Sequence, residues 1–146
     1  MESQLKYKPT FSFELFPPKT DAGMEKLKRT VHKLAGLTQR FFSVTYGAGG
    51  STRDRTMDTV DWLRSEGLET APHISCIGSS RDHIRELLAH YQEKGIRRTV
   101  ALRGDMPSGM GGGGDFRYAN ELVEFIRSET GDHFYIELAA YTECHP

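Results

Sequence analysis

Two hydrophobic periods take turns along this chain. Short segments beginning near Phe11, Phe41, Thr70, Thr99 and Tyr135 alternate bulky residues with small or polar ones, the two-residue period of a strand. Between them apolar residues recur at helical spacing: Met24, Leu27, Val31 and Leu34; Met57, Val60, Trp62 and Leu63, less regularly; Ile84, Leu87, Leu88 and Tyr91; Leu122, Val123, Phe125 and Ile126. Boundary residues agree with this division. Thr20 or Asp21 suits the first helix N-cap, Ser51 and Thr52 precede the second helix, and Ser79 and Ser80 open the third. Gly95 and Gly131 suit the residues that end the third and fourth helices. One strand plus one helix occupies about thirty residues, the length of a βα unit. The order β-α-β-α-β-α-β-α-β predicts an α/β fold with a parallel sheet and right-handed crossovers.

Strand parity separates the two parallel architectures. An open doubly wound sheet of the flavodoxin type is covered on both faces, so its strands read as continuous aliphatic runs. Here one parity stays small or polar: Ser12 and Glu14; Ser43 and Thr45; Ala71 and His73; Thr99, Ala101, Arg103 and Asp105; Glu137, Ala139 and Tyr141. The other parity is bulky: Phe11, Phe13 and Leu15; Phe42 and Val44; Val100 and Leu102; Ile136 and Leu138. The first set suits a barrel lumen and the second the layer beneath outer helices. The expectation is an incomplete TIM (β/α)8 barrel with about five strands, in a single domain spanning 1–146. A complete barrel of eight units takes roughly 250 residues.

Composition removes some function classes. Nineteen basic residues stand against twenty acidic ones, for a net charge of −1, so no field favours nucleic acid or a membrane surface. The N-terminal MESQLKYKPTFSF lacks a basic start followed by an apolar run, so no signal peptide is expected. No apolar stretch approaches the roughly 20 residues that span a bilayer. Cys76 and Cys144 fit either redox compartment, and a cytoplasmic location is the default expectation.

Glu14 is the strongest candidate for chemistry. It lies in FSFELFPPK on the lumen parity, flanked by aromatics, where burial would disfavour its charged form and suit it to general acid catalysis. A salt bridge or a helix-cap contact is the structural alternative. Pro17 and Pro18 then forbid helix and stiffen the exit. Arg103 and Asp105 end the fourth strand in LRGDMP, two residues apart and so expected on one face. They either pair with each other or bracket a ligand, with Gly104 admitting a flat group to the backbone. An integrin-type reading of RGD suits neither a strand end nor a chain without a secretory signal. His73 is either a packed strand histidine or part of the polar strand ends. Cys76, Cys144, His145 and His73 lack the paired close spacing of a zinc site, so no metal is expected. Glu14 and Asp105 satisfy the two-carboxylate requirement of a glycosidase, but the only tryptophan, Trp62, falls on a helix rather than beside a cleft. Gly47-Ala48-Gly49-Gly50, between a strand and a helix carrying Arg53 and Arg55, could cradle phosphate or form a tight turn. The run from Gly109 to Gly114 lacks the lysine and hydroxyl of a P-loop and reads as a surface loop.

At FSFELFPPK, FFSVTYGAGGSTRDRT, TAPHISC, GIRRTVALRGDMP and AAYTECHP the chain resembles methylenetetrahydrofolate reductases, from about Phe11 to Pro146. The resemblance implies a FAD-containing βα barrel. It implies hydride transfer from NADH or NADPH through flavin to 5,10-methylenetetrahydrofolate, giving 5-methyltetrahydrofolate. Carried over by motif, Glu14 corresponds to the general acid that protonates the folate nitrogen and opens its five-membered ring. Asp105 corresponds to the aspartate beside flavin and pterin, and Thr45 to the nicotinamide site. Tyr46, Ala48, His73, Arg103, Gly104, Tyr118, Ala119, Tyr141 and His145 fall on FAD-contact positions.

In that family the barrel continues beyond a fifth strand, so the 146 residues correspond to its N-terminal portion. Alone they are expected to bind FAD weakly and to turn over poorly. The alternatives are a non-catalytic half-barrel that self-associates as a homo-oligomer through its open edges, and another FAD barrel of the proline dehydrogenase type.

Overall fold

The computed structural model describes residues 10–46, 50–105 and 114–139. Strands and helices alternate as expected: β1 (Phe13–Leu15), α1 (Asp21–Leu34), β2 (Phe42–Val44), α2 (Gly50–Ser65), β3 (Thr70–Ser75), α3 (Arg81–Glu93), β4 (Arg98–Leu102), α4 (Ala119–Thr130) and β5 (Tyr135–Leu138). The strands form one parallel sheet in the order β1-β2-β3-β4-β5. An open doubly wound sheet reverses strand order at a switch point. Here order never reverses, so right-handed crossovers carry every helix to the same face. The architecture is that of a partial TIM barrel.

Local chemistry explains the helix boundaries. Thr20 Oγ1 accepts from the Gly23 N–H at 3.1 Å and begins α1. Ser80 Oγ accepts from the His83 N–H at 3.2 Å and begins α3. Gly95 follows α3 at φ +67°, and Gly131 caps α4 at φ +58°, both in the left-handed region. The core lies between sheet and helices. Phe42, Val44 and Ile74 from the strands join Val31, Leu63, Ile84, Leu88, Leu122 and Ile126 from the four helices in one buried cluster.

One strand departs from the expected parity. Thr99 and Ala101 of β4 are buried under the helices, not in the lumen, and the Thr99 hydroxyl donates to the Pro72 carbonyl at 2.8 Å. Val100 and Leu102 line the concave face instead. Register is the reason: Val100 pairs with His73 and Leu102 with Ser75, and residues in register in a parallel sheet share a face. The helices supply the bulk at this position, so the strand residues beneath them are small. Leu138, expected under the helices, is 56% exposed and borders the concave face.

Candidate active site

The concave face holds a cleft of about 700 Å³, running to the C-terminal ends of the strands. Glu14, Thr45, Tyr46, His73, Gly104 and Asp105 line it, so four separate strand ends converge on one space. A second cavity of about 500 Å³ adjoins it, bordered by Arg103, Tyr118, Ala119 and Asn120. Gly104, Asp105 and Ala139 belong to both. Every candidate residue within the described ranges therefore borders one cavity or the other. Ala48, Tyr141 and His145 lie outside the described residues.

Each position has a local cause. Glu14 pairs in register with Ser43 near the end of β1, and Pro17 and Pro18 lead the chain away. Its side chain is exposed, not desolvated as its aromatic neighbours in sequence suggest; those aromatics point to the other face or outward, and Phe16 is 71% exposed. Thr45 is held at both backbone ends: its N–H donates to Leu15 and its carbonyl accepts from the Thr56 hydroxyl, each at 3.0 Å. The Tyr46 hydroxyl lies 3.2 Å from His83 Nε2. His73 is 8% exposed, and burial pushes its imidazole below the ordinary value while the Glu14 carboxylate opposes that shift. A neutral imidazole is thus favoured in the cleft wall.

Arg103 and Asp105 both border the second cavity. β4 ends at Leu102, and Gly104, between the two charged residues, adopts φ +81°. Arg103 borders only the second cavity, Asp105 borders both, and the two form no ion pair.

Other residues lining the cleft were not singled out as site residues from sequence. Ser75 follows His73 by two residues, so the strand period could have found it. At the opposite end of the cleft, Arg98 pairs with Glu137 and stacks between Phe41, 4.9 Å from its guanidinium carbon, and Tyr135, at 5.2 Å. Nothing in local sequence marks this cluster, since its members come from β4, β5 and the residue before β2. Among the described residues no group of three or more His, Cys, Asp or Glu side chains is arranged to hold a metal ion. Burial pushes the Cys76 thiol up.

A family model described as methylenetetrahydrofolate reductase matches residues 1–146. The chain belongs to the methylenetetrahydrofolate reductase family. It is 44% identical over 145 residues to 5,10-methylenetetrahydrofolate reductase of Pectobacterium carotovorum, covering 99% of this chain and 47% of that protein. It is 43% identical over 136 residues to the Escherichia coli K12 enzyme of the same name, covering 92% and 45%. Methylenetetrahydrofolate reductase (NADH) 1 of Arabidopsis thaliana is 39% identical over 141 residues, covering 93% and 24%. The chain spans about half the length of the bacterial reductases it matches, or less.

The donor set suits a dinucleotide such as FAD. The two cavities join through Gly104 and Asp105 into an elongated groove, wide at the cleft and continuing along the start of α4. Arg103 offers a fixed cation in the second cavity. Tyr118, the N-cap of α4, makes no side-chain cap bond, and Ala119 and Asn120 of the first turn border the same cavity.

Proposed function

We propose that the protein carrying this chain reduces 5,10-methylenetetrahydrofolate to 5-methyltetrahydrofolate, with FAD held in the joined cavities and a reduced nicotinamide as electron donor. The observation that carries the proposal is the convergence of Glu14, Thr45, His73 and Asp105 on one cleft in a chain of this family. Arg103, Tyr118 and Ala119 would hold the phosphate-bearing part of FAD. Tyr46, His73, Gly104 and Asp105 would border its ring. When bound, FAD supplies the hydride relay between nicotinamide and folate.

The chain's own residues then have distinct tasks. Glu14 delivers a proton to the folate nitrogen, opening the five-membered ring to an electrophilic iminium. Its exposed position at the mouth lets it regain that proton from solvent. Asp105 orients the pterin and sets the charge beside the flavin ring. Thr45, fixed at both backbone ends, contacts the nicotinamide.

Purifying the intact protein, recording its visible spectrum and adding each substrate in turn tests this reading. Bound flavin bleached by NADH or NADPH and reoxidised by 5,10-methylenetetrahydrofolate is the expected result. Protein that neither holds nor takes up FAD, or whose reduced flavin ignores folate, overturns it. The Arabidopsis relative named above carries NADH in its name, so NADH is the first donor to try.

A second reading concerns the 146 residues alone. Among the described residues β1 and β5 pair on one side only, and Tyr135 and Leu138 of β5 are 66% and 56% exposed. The isolated chain is expected to hold FAD weakly and to self-associate through these edges. Light scattering showing a monodisperse monomer with stoichiometric flavin overturns that expectation.

A further inference from the structure

The Arg103 carbonyl is held by more donors than a strand end requires. The Ile77 N–H donates to it at 2.8 Å and the Ser75 hydroxyl at 3.1 Å, while the Cys76 thiol lies 3.7 Å away. The same thiol lies 3.7 Å from the Tyr118 carbonyl. Three consecutive residues leaving β3 thus grip the backbone of Arg103, and one of them also reaches the N-cap of α4. Gly104 completes the arrangement. It sits at φ +81°, and a Cβ built there would fall 2.0 Å from Ser75 Oγ and 2.9 Å from Ile77 Cγ2. The hydroxyl occupies space that any side chain at 104 would fill.

We propose that Ser75 is a positioning residue: its hydroxyl fixes the Arg103–Gly104–Asp105 turn that presents Arg103 to the second cavity and Asp105 to the junction of the two. Ser75 lines the cleft wall, but its hydrogen bond is directed to backbone. Its influence on chemistry runs through the Asp105 carboxylate. That carboxylate opposes the negative charge a ring gains on reduction, so its distance from the ring sets the ring's potential. Releasing the turn lets the carboxylate retreat toward solvent, where Asp105 is already exposed. Cys76 secures the same turn from the other side and ties it to Tyr118, so both walls of the second cavity depend on the segment from Ser75 to Ile77.

The inference rests on FAD occupying the joined cavities. The test therefore begins with wild-type intact protein, whose FAD dissociation constant is read by flavin fluorescence and whose flavin potential is read by equilibration with redox dyes. Absence of FAD binding in wild type defeats the functional reading, not the role of Ser75. With FAD bound, Ser75→Ala is expected to weaken FAD about fivefold, the loss of one neutral hydrogen bond, and to raise the flavin potential. Ser75→Thr, which keeps the hydroxyl, is expected to restore both. Amide exchange at Ile77, measured without flavin, should quicken in Ser75→Ala and return in Ser75→Thr. An unchanged potential with unchanged Ile77 exchange in Ser75→Ala overturns the proposal. So does an equal shift in Ser75→Thr, which would trace the effect to side-chain volume.

Discussion

The two ends of the cleft are built on opposite principles. At the floor, Arg98 and Glu137 satisfy each other, and the guanidinium is enclosed by the rings of Phe41 and Tyr135. At the mouth, Glu14 and Asp105 are exposed carboxylates with no ion-pair partner among the described residues. Charges at the floor are spent on one another and tie β4 to β5. Charges at the mouth stay available to a ligand. The contrast follows from chain direction: in a parallel βα sheet the C-terminal strand ends lead into loops free to carry chemistry, while the N-terminal ends are packed.

The strongest way to break this contrast is Glu14→Gln. Folate reduction should fall by about 10²–10⁴-fold, the range of a lost general acid, while flavin reduction by NADH stays nearly normal. Stopped-flow measurement of the two half-reactions checks this, and equal losses in both would make Glu14 structural.

Gly104→Ala comes next. The left-handed backbone alone costs a substituted residue about 1–2 kcal/mol, and the added methyl must displace Ser75 Oγ. Both stability and FAD affinity should drop, read by thermal melting with and without FAD. A variant as stable as wild type would show that the turn relaxes freely.

Arg98→Met should act in the reverse sense, with stability down and chemistry nearly unchanged. The Arg98 side chain is 14% exposed but that of Glu137 is 44% exposed, so solvent screening reduces the value of the pair. A loss of about 2 kcal/mol, between surface and fully buried pairs, is expected in urea titration. A large loss of kcat at full stability would place the floor in the catalytic machinery.

The smallest effect concerns His73. Its folded-state pKa lies below the ordinary 6.5, so below that pH the unfolded chain binds a proton the native state refuses. Stability should therefore fall as pH drops from about 6.5 toward the lowered value, and should be insensitive to His73 above it. Urea unfolding between these limits should show a shallower decline in His73→Gln; identical slopes would remove His73 as the cause.

Much of this arrangement is legible in local pattern. The helix boundaries at Thr20, Ser80, Gly95 and Gly131 follow from side-chain caps and positive φ, both local properties. Glu14, Ser43, Ala71 and His73 share one face because a strand period of two and a register without slips carry parity from β1 to β3. The family resemblance places Arg103, Gly104, Tyr118 and Ala119 in one set, and all four border the second cavity. Parity failed at β4, where volume misled: Thr99 and Ala101 are small because α4 packs against β4, not because they face a lumen.

Alternation, caps and motif order are carried by residues near one another in the chain, and these established the βα repeat, the helix ends and the family. The side of the sheet on which β4 presents its residues depends on its pairing with β3, at a sequence separation of 27 residues. The Arg103 carbonyl likewise accepts from the Ser75 hydroxyl, 28 residues earlier in the chain. Such long-range pairings exist only once the sheet has assembled, so the placement of Arg103 at the second cavity and of Asp105 where the two cavities join is a property of the fold.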